Sequence, residues 1–163
     1  MSPTLATIAF AEPPVALFTN ETKVLETRFG RIEVSPAAAI TMAQGPHGFA
    51  SYRRFALANI PGAEERPLKM FQSMEDESLT FIVLPFDKDS GTIAAKDIAE
   101  ACESCGIAEK NLAILLIVTV RQGKNGEIET TANLRAPLLI DVATRTARQH
   151  IFLNGDYAIR HKL

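Results

Sequence analysis

Cys102-Glu-Ser-Cys105 is the spacing in this chain with the most chemistry in it. A C-x-x-C pair serves as half of a zinc site or as a redox dithiol. A closed zinc site needs two further ligands, and the three histidines, His47, His150 and His161, show no paired spacing. A redox dithiol sits at a helix N-terminus, where the backbone dipole lowers the thiol pKa. These cysteines fall in the last turn of a predicted helix, where the dipole disfavours a thiolate. They are read as buried, reduced core thiols.

The remaining candidates fail on spacing. Asp87-Lys-Asp-Ser-Gly91 begins like a calcium loop, yet its sixth and twelfth positions are Thr92 and Ile98 where glycine and glutamate are required. It is read as a solvated turn. There is no G-x-S-x-G, no glycine-rich phosphate loop, and neither cysteine sits in a protease setting. No catalytic residue, metal set or cofactor is assigned, and the chain is read as a non-enzyme. Glu75-Asp76-Glu77 is an exposed turn or an acidic lip that steers a basic partner.

The bulk properties narrow the classes further. A chain of 163 residues suits one domain with a core that needs no staples. Its net charge of -2 and lack of a basic run argue against direct nucleic-acid binding. Two cysteines are too few for a disulfide scaffold, and no apolar run approaches the ~20 residues that span a membrane. The apolar stretch at residues 5–11 lacks a charged n-region and runs into Pro13-Pro14. A cytoplasmic location is therefore expected, with a secreted β-domain as a rival.

These residues need elements to hold them, and the pattern is mostly β. Residues 1–22 form a proline-bearing lead-in with a short strand at 15–19. Segments 23–28 and 31–34 flank Phe29-Gly30 as a hairpin. Further strands are predicted at 52–60, 68–74 and 78–86. Residues 111–122 contain Leu112-Ala-Ile-Leu-Leu-Ile-Val118 and read as a central strand buried on both faces. Asn125-Gly126 predicts a type I′ hairpin turn, with its return strand at 127–134. Segments 137–142 and 147–153 form a last pair. One short helix is predicted over 98–105, with Asp97 and Glu100 at capping-box spacing and Gly106 as its stop. Many short strands with one short helix suggest a single domain built as a barrel or a compact sandwich, since either manages the sheet edges.

Several blocks in order then resemble one family. They are Thr27-Arg-Phe-Gly-Arg-Ile-Glu-Val34, Gly45-Pro-His-Gly-Phe49, Phe71-Gln-Ser73, Leu79-Thr-Phe-Ile-Val83 with Pro85, Ala132-Asn-Leu-Arg-Ala-Pro137, Gln149, and Tyr157-Ala-Ile-Arg-His-Lys-Leu163. From residue 23 to 163 this series resembles the flagellar assembly factor FliW family. Three features depart from the pattern: the lead-in, the cysteine pair, and Lys162 where proline commonly precedes the last leucine.

The resemblance implies a mostly β, small closed or partly closed β-barrel-like single domain over residues 23–163, with one short helix. Such a protein is non-catalytic and binds newly made flagellin in the cytoplasm. Once freed, such a protein binds the translational regulator CsrA and relieves its repression of flagellin synthesis. The two ligands would exclude one another through overlapping surfaces or through coupled ones. A monomer is expected. Flagellin's export-competent ends are amphipathic and helical, so a receiving surface needs an apolar anchor with a polar rim. The residues expected to supply it are Phe49, Phe71, Gln72, Glu75, Asp76, Asn133, Arg135, Pro137, Arg160 and His161. The alternative for the two phenylalanines is core packing. A small-ligand-binding β-barrel, with or without catalytic activity, is the competing function.

Overall fold

Alternation of apolar side chains sorts the strands of this chain into an inner and an outer face. The computed structural model describes residues 7–11 and 21–163. Its elements run β1 (Lys23–Thr27), β2 (Gly30–Val34), β3 (Ile40–Met42), β4 (Arg54–Asn59), β5 (Lys69–Ser73), β6 (Thr80–Phe86) and α1 (Ala95–Cys105). They continue through β7 (Leu112–Gln122), β8 (Ile128–Ala132), β9 (Leu138–Asp141), β10 (Thr146–Gln149) and β11 (His161–Lys162). The expected strand at 15–19 lies outside the described residues.

Seven strands close into a barrel. β7 pairs with β6 over Ile114 to Val118, and its first residues, Leu112 to Leu115, pair with β9. The ring then runs through β10, β3, β4 and β5 back to β6. Every neighbour in the ring is antiparallel except β10 with β3, which align parallel through Thr146 opposite Thr41 and Ala147 opposite Met42. The interior holds Ile40, Met42, Phe55, Phe71, Val83, Leu115, Leu138 and Ile140. Phe55 and Phe71 stack there with centroids 4.5 Å apart. The barrel is thus filled by its own side chains, as small barrels are.

Two elements cover the outer face. The β1–β2 hairpin lays Leu25, Ile32 and Val34 over Ala56 of β4 and Met70 of β5. Helix α1 lays Ile98, Ala101 and Cys102 over Leu84 of β6, Leu116 of β7 and Leu139 of β9. Strand β7 is consequently apolar on both sides as far as Val118, and its exposed end at residues 119–122 leaves the barrel with β8 and β11.

The structure corrects several local expectations. Helix α1 starts at Ala95 behind Ala94, with no side-chain cap, so Asp97 and Glu100 form no capping box. Asp97 instead accepts a hydrogen bond from the Tyr157 hydroxyl, and Glu100 sits 3.9 Å from Lys96. Tertiary packing of Tyr157, whose oxygen also accepts from Ala94 N–H at 3.0 Å, replaces the local cap. The helix stop at Gly106 holds, with φ of 69°.

The Asn125-Gly126 hairpin is not a two-residue type I′ turn. Gly126 N–H donates to Gly123 O at 3.1 Å and Gly123 N–H to Glu127 O at 2.7 Å. Only Gly126 of that pair has positive φ, at 81°. This is the three-residue loop with its αL residue at the last position. The expected 147–153 strand stops at Gln149, because Phe152 N–H turns away to Arg135 O. Strands β3 and β11 are too short to announce themselves by periodicity. Cys102 is buried, but Cys105 is only half-buried, which corrects the reading of both as core thiols.

Candidate partner-binding face

A close approach of backbone to backbone at Gly45 sets the geometry of one barrel mouth. Gly45 N–H donates to Ala50 O at 3.1 Å and Tyr52 N–H to Phe49 O at 3.0 Å, folding residues 45–52 into a tight loop. A Cβ on Gly45 would lie 2.1 Å from Phe49 O and 2.2 Å from Tyr52 O, so only glycine fits. The loop sets Phe49 edge-on to Phe81, with centroids 5.3 Å apart, and leaves it 38% exposed. Tyr52 lies beside it at 6.2 Å.

The acidic turn between β5 and β6 is tied to the same rim. Glu75 accepts the N–H groups of Arg53 at 2.7 Å and Arg54 at 2.8 Å. Ser73 Oγ accepts from the N–H groups of Glu75 and Asp76, both at 3.1 Å. Beneath them the fully buried Gln72 donates to the carbonyls of Asp76 and Glu77 and accepts from the Thr80 hydroxyl. Asp76 takes the side-chain hydroxyl and backbone N–H of Ser78, which hold its carboxyl below the usual range, and the Tyr52 hydroxyl adds a weaker contact at 3.5 Å.

The two backbone donors hold the Glu75 carboxyl below the ordinary glutamate range. A group whose folded pKa is lowered stabilises the fold fully above its unfolded value and loses that contribution as pH falls through the folded one. Glu75→Gln should therefore lower stability near pH 7, and its gap from the unmodified protein should shrink on acidification below about pH 4.3. Urea unfolding at a series of pH values measures this. A gap that stays constant through that acid range would remove Glu75 from the acid limb.

The second cluster is built around Asn133. Its Oδ1 accepts from the N–H groups of Arg135 at 3.0 Å and Ala136 at 3.1 Å, an Asx turn that ends β8. Arg135 donates from Nε to Tyr157 O and from its terminal nitrogen to Gly155 O, both at 3.0 Å. β11 places His161 opposite Ala132, next to Asn133. Gln149 joins the two clusters: its Nε2 donates to Ala136 O at 3.0 Å, and its Oε1 accepts His47 N–H at 2.7 Å.

The expected contact residues therefore separate by burial. Phe49, Glu75 and Arg160 are exposed, and Asp76, Asn133, Arg135 and His161 are half-buried. Phe71 and Gln72 are fully enclosed and Pro137 is buried, so none of these three offers a side chain to a partner. Both faces of β5 are covered, and no alternation in the sequence marks which side chains reach the surface.

One further pairing has no signal in the sequence. Cys105 Sγ lies 3.9 Å from His150 Nδ1. Burial raises the thiol pKa, while burial and the neighbouring Arg148 charge lower that of the imidazole. Both shifts favour the neutral forms, the reverse of what an activated thiolate needs. Among the described residues no group of histidine, cysteine, aspartate and glutamate is arranged to hold a metal, and no described helix is long and apolar enough to cross a membrane.

Comparison with known proteins covers the same barrel. The FliW protein family model matches residues 23–163. The flagellar assembly factor FliW of Leptospira interrogans is 30% identical over 138 residues, covering 83% of this chain and 88% of that protein. The FliW proteins of Anoxybacillus flavithermus and Thermosipho africanus are 31% and 32% identical over 142 residues. They span 85% and 84% of this chain, and 93% and 92% of their own lengths. A crystal structure of the flagellar assembly factor FliW superposes with a TM-score of 0.66 at 26% identity, covering 87% of this chain and 96% of that one. Since the family model spans β1 through β11 and the relatives cover most of the chain, the chain belongs to the FliW family of flagellar assembly factors.

Proposed function

We propose that this FliW family member binds flagellin in the cytoplasm and, when free of flagellin, binds CsrA and relieves its repression of flagellin synthesis. The family match over the whole of residues 23–163 carries the reading. A net charge of -2 agrees with it, because RNA binding is then left to the partner. The protein acts as a monomer that presents Phe49 as its apolar anchor. Glu75 and Asp76 form one side of the rim, and Asn133, Arg135, Arg160 and His161 the other. The competing small-ligand reading is disfavoured by a barrel interior packed with buried side chains.

The test combines a gel shift with a binding titration. The protein alone should leave RNA unshifted, release RNA from CsrA, and lose that effect when flagellin is added. Phe49→Ala should keep its fold and weaken flagellin binding by about 2 kcal/mol, roughly thirtyfold in Kd. Direct, salt-sensitive RNA binding, or CsrA–RNA complexes that persist at excess protein, would overturn the function. Unchanged affinity of folded Phe49→Ala for both partners would overturn the face.

A further inference from the structure

The opposite mouth of the barrel is covered by a piece of the chain that lies outside the family match. Residues 7–11 run beside the β9–β10 turn: Ala11 N–H donates to Val142 O at 3.0 Å, and the Arg145 guanidinium donates to Ala11 O. Ile8 and Phe10 point onto the barrel's interior cluster, while Thr7, Ala9 and Ala11 are exposed, the period of an extended strand. The guanidinium of Arg145 lies 5.9 Å from the Phe10 ring centroid. Arg145 is also the one non-glycine among the described residues with positive φ, at 55°.

What lies beneath is a groove with spare room. Its cavity of about 630 Å³ is bordered by Ile8, Phe10, Ile40, Leu57, Lys69 and Pro85. Neither Ile8 nor Phe10 is fully buried. The described contacts of the segment are its two half-buried side chains, one backbone hydrogen bond and the Arg145 guanidinium. A ligand carried on the same chain competes for such a site at an effective concentration of about a millimolar.

We propose that this mouth is a binding groove for an extended peptide with two apolar side chains two residues apart, and that residues 7–11 occupy it in cis until such a peptide displaces them. Recognition repeats the contacts of residues 7–11: the Val142 carbonyl and the Arg145 guanidinium of the β9–β10 turn take the peptide backbone, and the groove takes alternate side chains. This inference does not rest on the flagellin and CsrA reading, which concerns the other mouth.

The test uses the full chain and a fluorescein-labelled peptide with the sequence of residues 5–13. Ile8→Ser with Phe10→Ser empties the groove, and anisotropy then reads peptide binding. The double variant should bind the peptide saturably, at least about tenfold more tightly than the unmodified chain. Adding Arg145→Asn, which tolerates the left-handed backbone and removes the guanidinium, should weaken that binding again. A folded double variant that fails to bind the peptide overturns the proposal. Concentration-dependent dimers of the unmodified chain that vanish in the double variant also overturn it, because the segment would then serve a second copy. If the double variant does not fold, Phe10→Ala takes its place in the same titration: tighter peptide binding supports the groove, and no binding overturns it.

Discussion

Gly45→Ala should destabilise this protein by about 3 kcal/mol or more, a large share of a typical domain's stability. The added Cβ meets two backbone oxygens at 2.1 and 2.2 Å. Backbone atoms cannot rotate aside as a flexible side chain does, so the whole 45–52 loop must open. That would release Phe49 from Phe81 and detach His47 N–H from Gln149. Gly48 is the internal control. Its φ of 87° is strained for alanine, but nothing lies within 4 Å of the new carbon, so Gly48→Ala should cost only about 1–2 kcal/mol. Denaturant unfolding of both variants measures the difference. A Gly45→Ala protein within about 1 kcal/mol of the unmodified one would show that the loop has another way to fold.

Phe71→Ala should cost about 3–5 kcal/mol of stability, as a buried phenylalanine does when the cavity it leaves cannot collapse. Phe71 is fully enclosed, stacked on Phe55 and opposite Phe81 across β5 and β6. Closed barrels have little freedom to shrink around a lost ring, because every strand is pinned on both sides. Phe49 is the contrasting case: it is exposed at the mouth, and its truncation should be felt chiefly in partner affinity. Thermal unfolding beside flagellin titration separates the two. A Phe71→Ala protein that keeps its stability yet loses partner binding would return Phe71 to the contact surface and discredit the burial argument.

Local chemistry in the sequence sufficed for most elements. The β1–β2 hairpin, the pair β5 and β6, the long apolar β7 and the helix stop at Gly106 all follow from periodicity and turn residues, which act over a few positions. The family blocks supplied the barrel, since their order along the chain is itself a record of fold. Likewise, Asp87-Lys-Asp-Ser-Gly91 is the turn its spacing implied, with Ser90 N–H returning to Asp87 O.

Tertiary structure alone decided how the barrel closes and which candidate residues stay accessible. Closure depends on β10 meeting β3 in parallel and β7 meeting β9, and the pattern along each strand does not record which partner it takes. Burial of Phe71, Gln72 and Pro137 depends on what covers each face, and for β5 both faces are covered, by the interior on one side and the β1–β2 hairpin on the other. The helix start moved for the same reason, because Tyr157 reaches Asp97 and Ala94 from the other end of the chain. Alternation and turn propensity are set by neighbours along the chain. Accessibility is set by neighbours in space, and only the closed barrel brings those together.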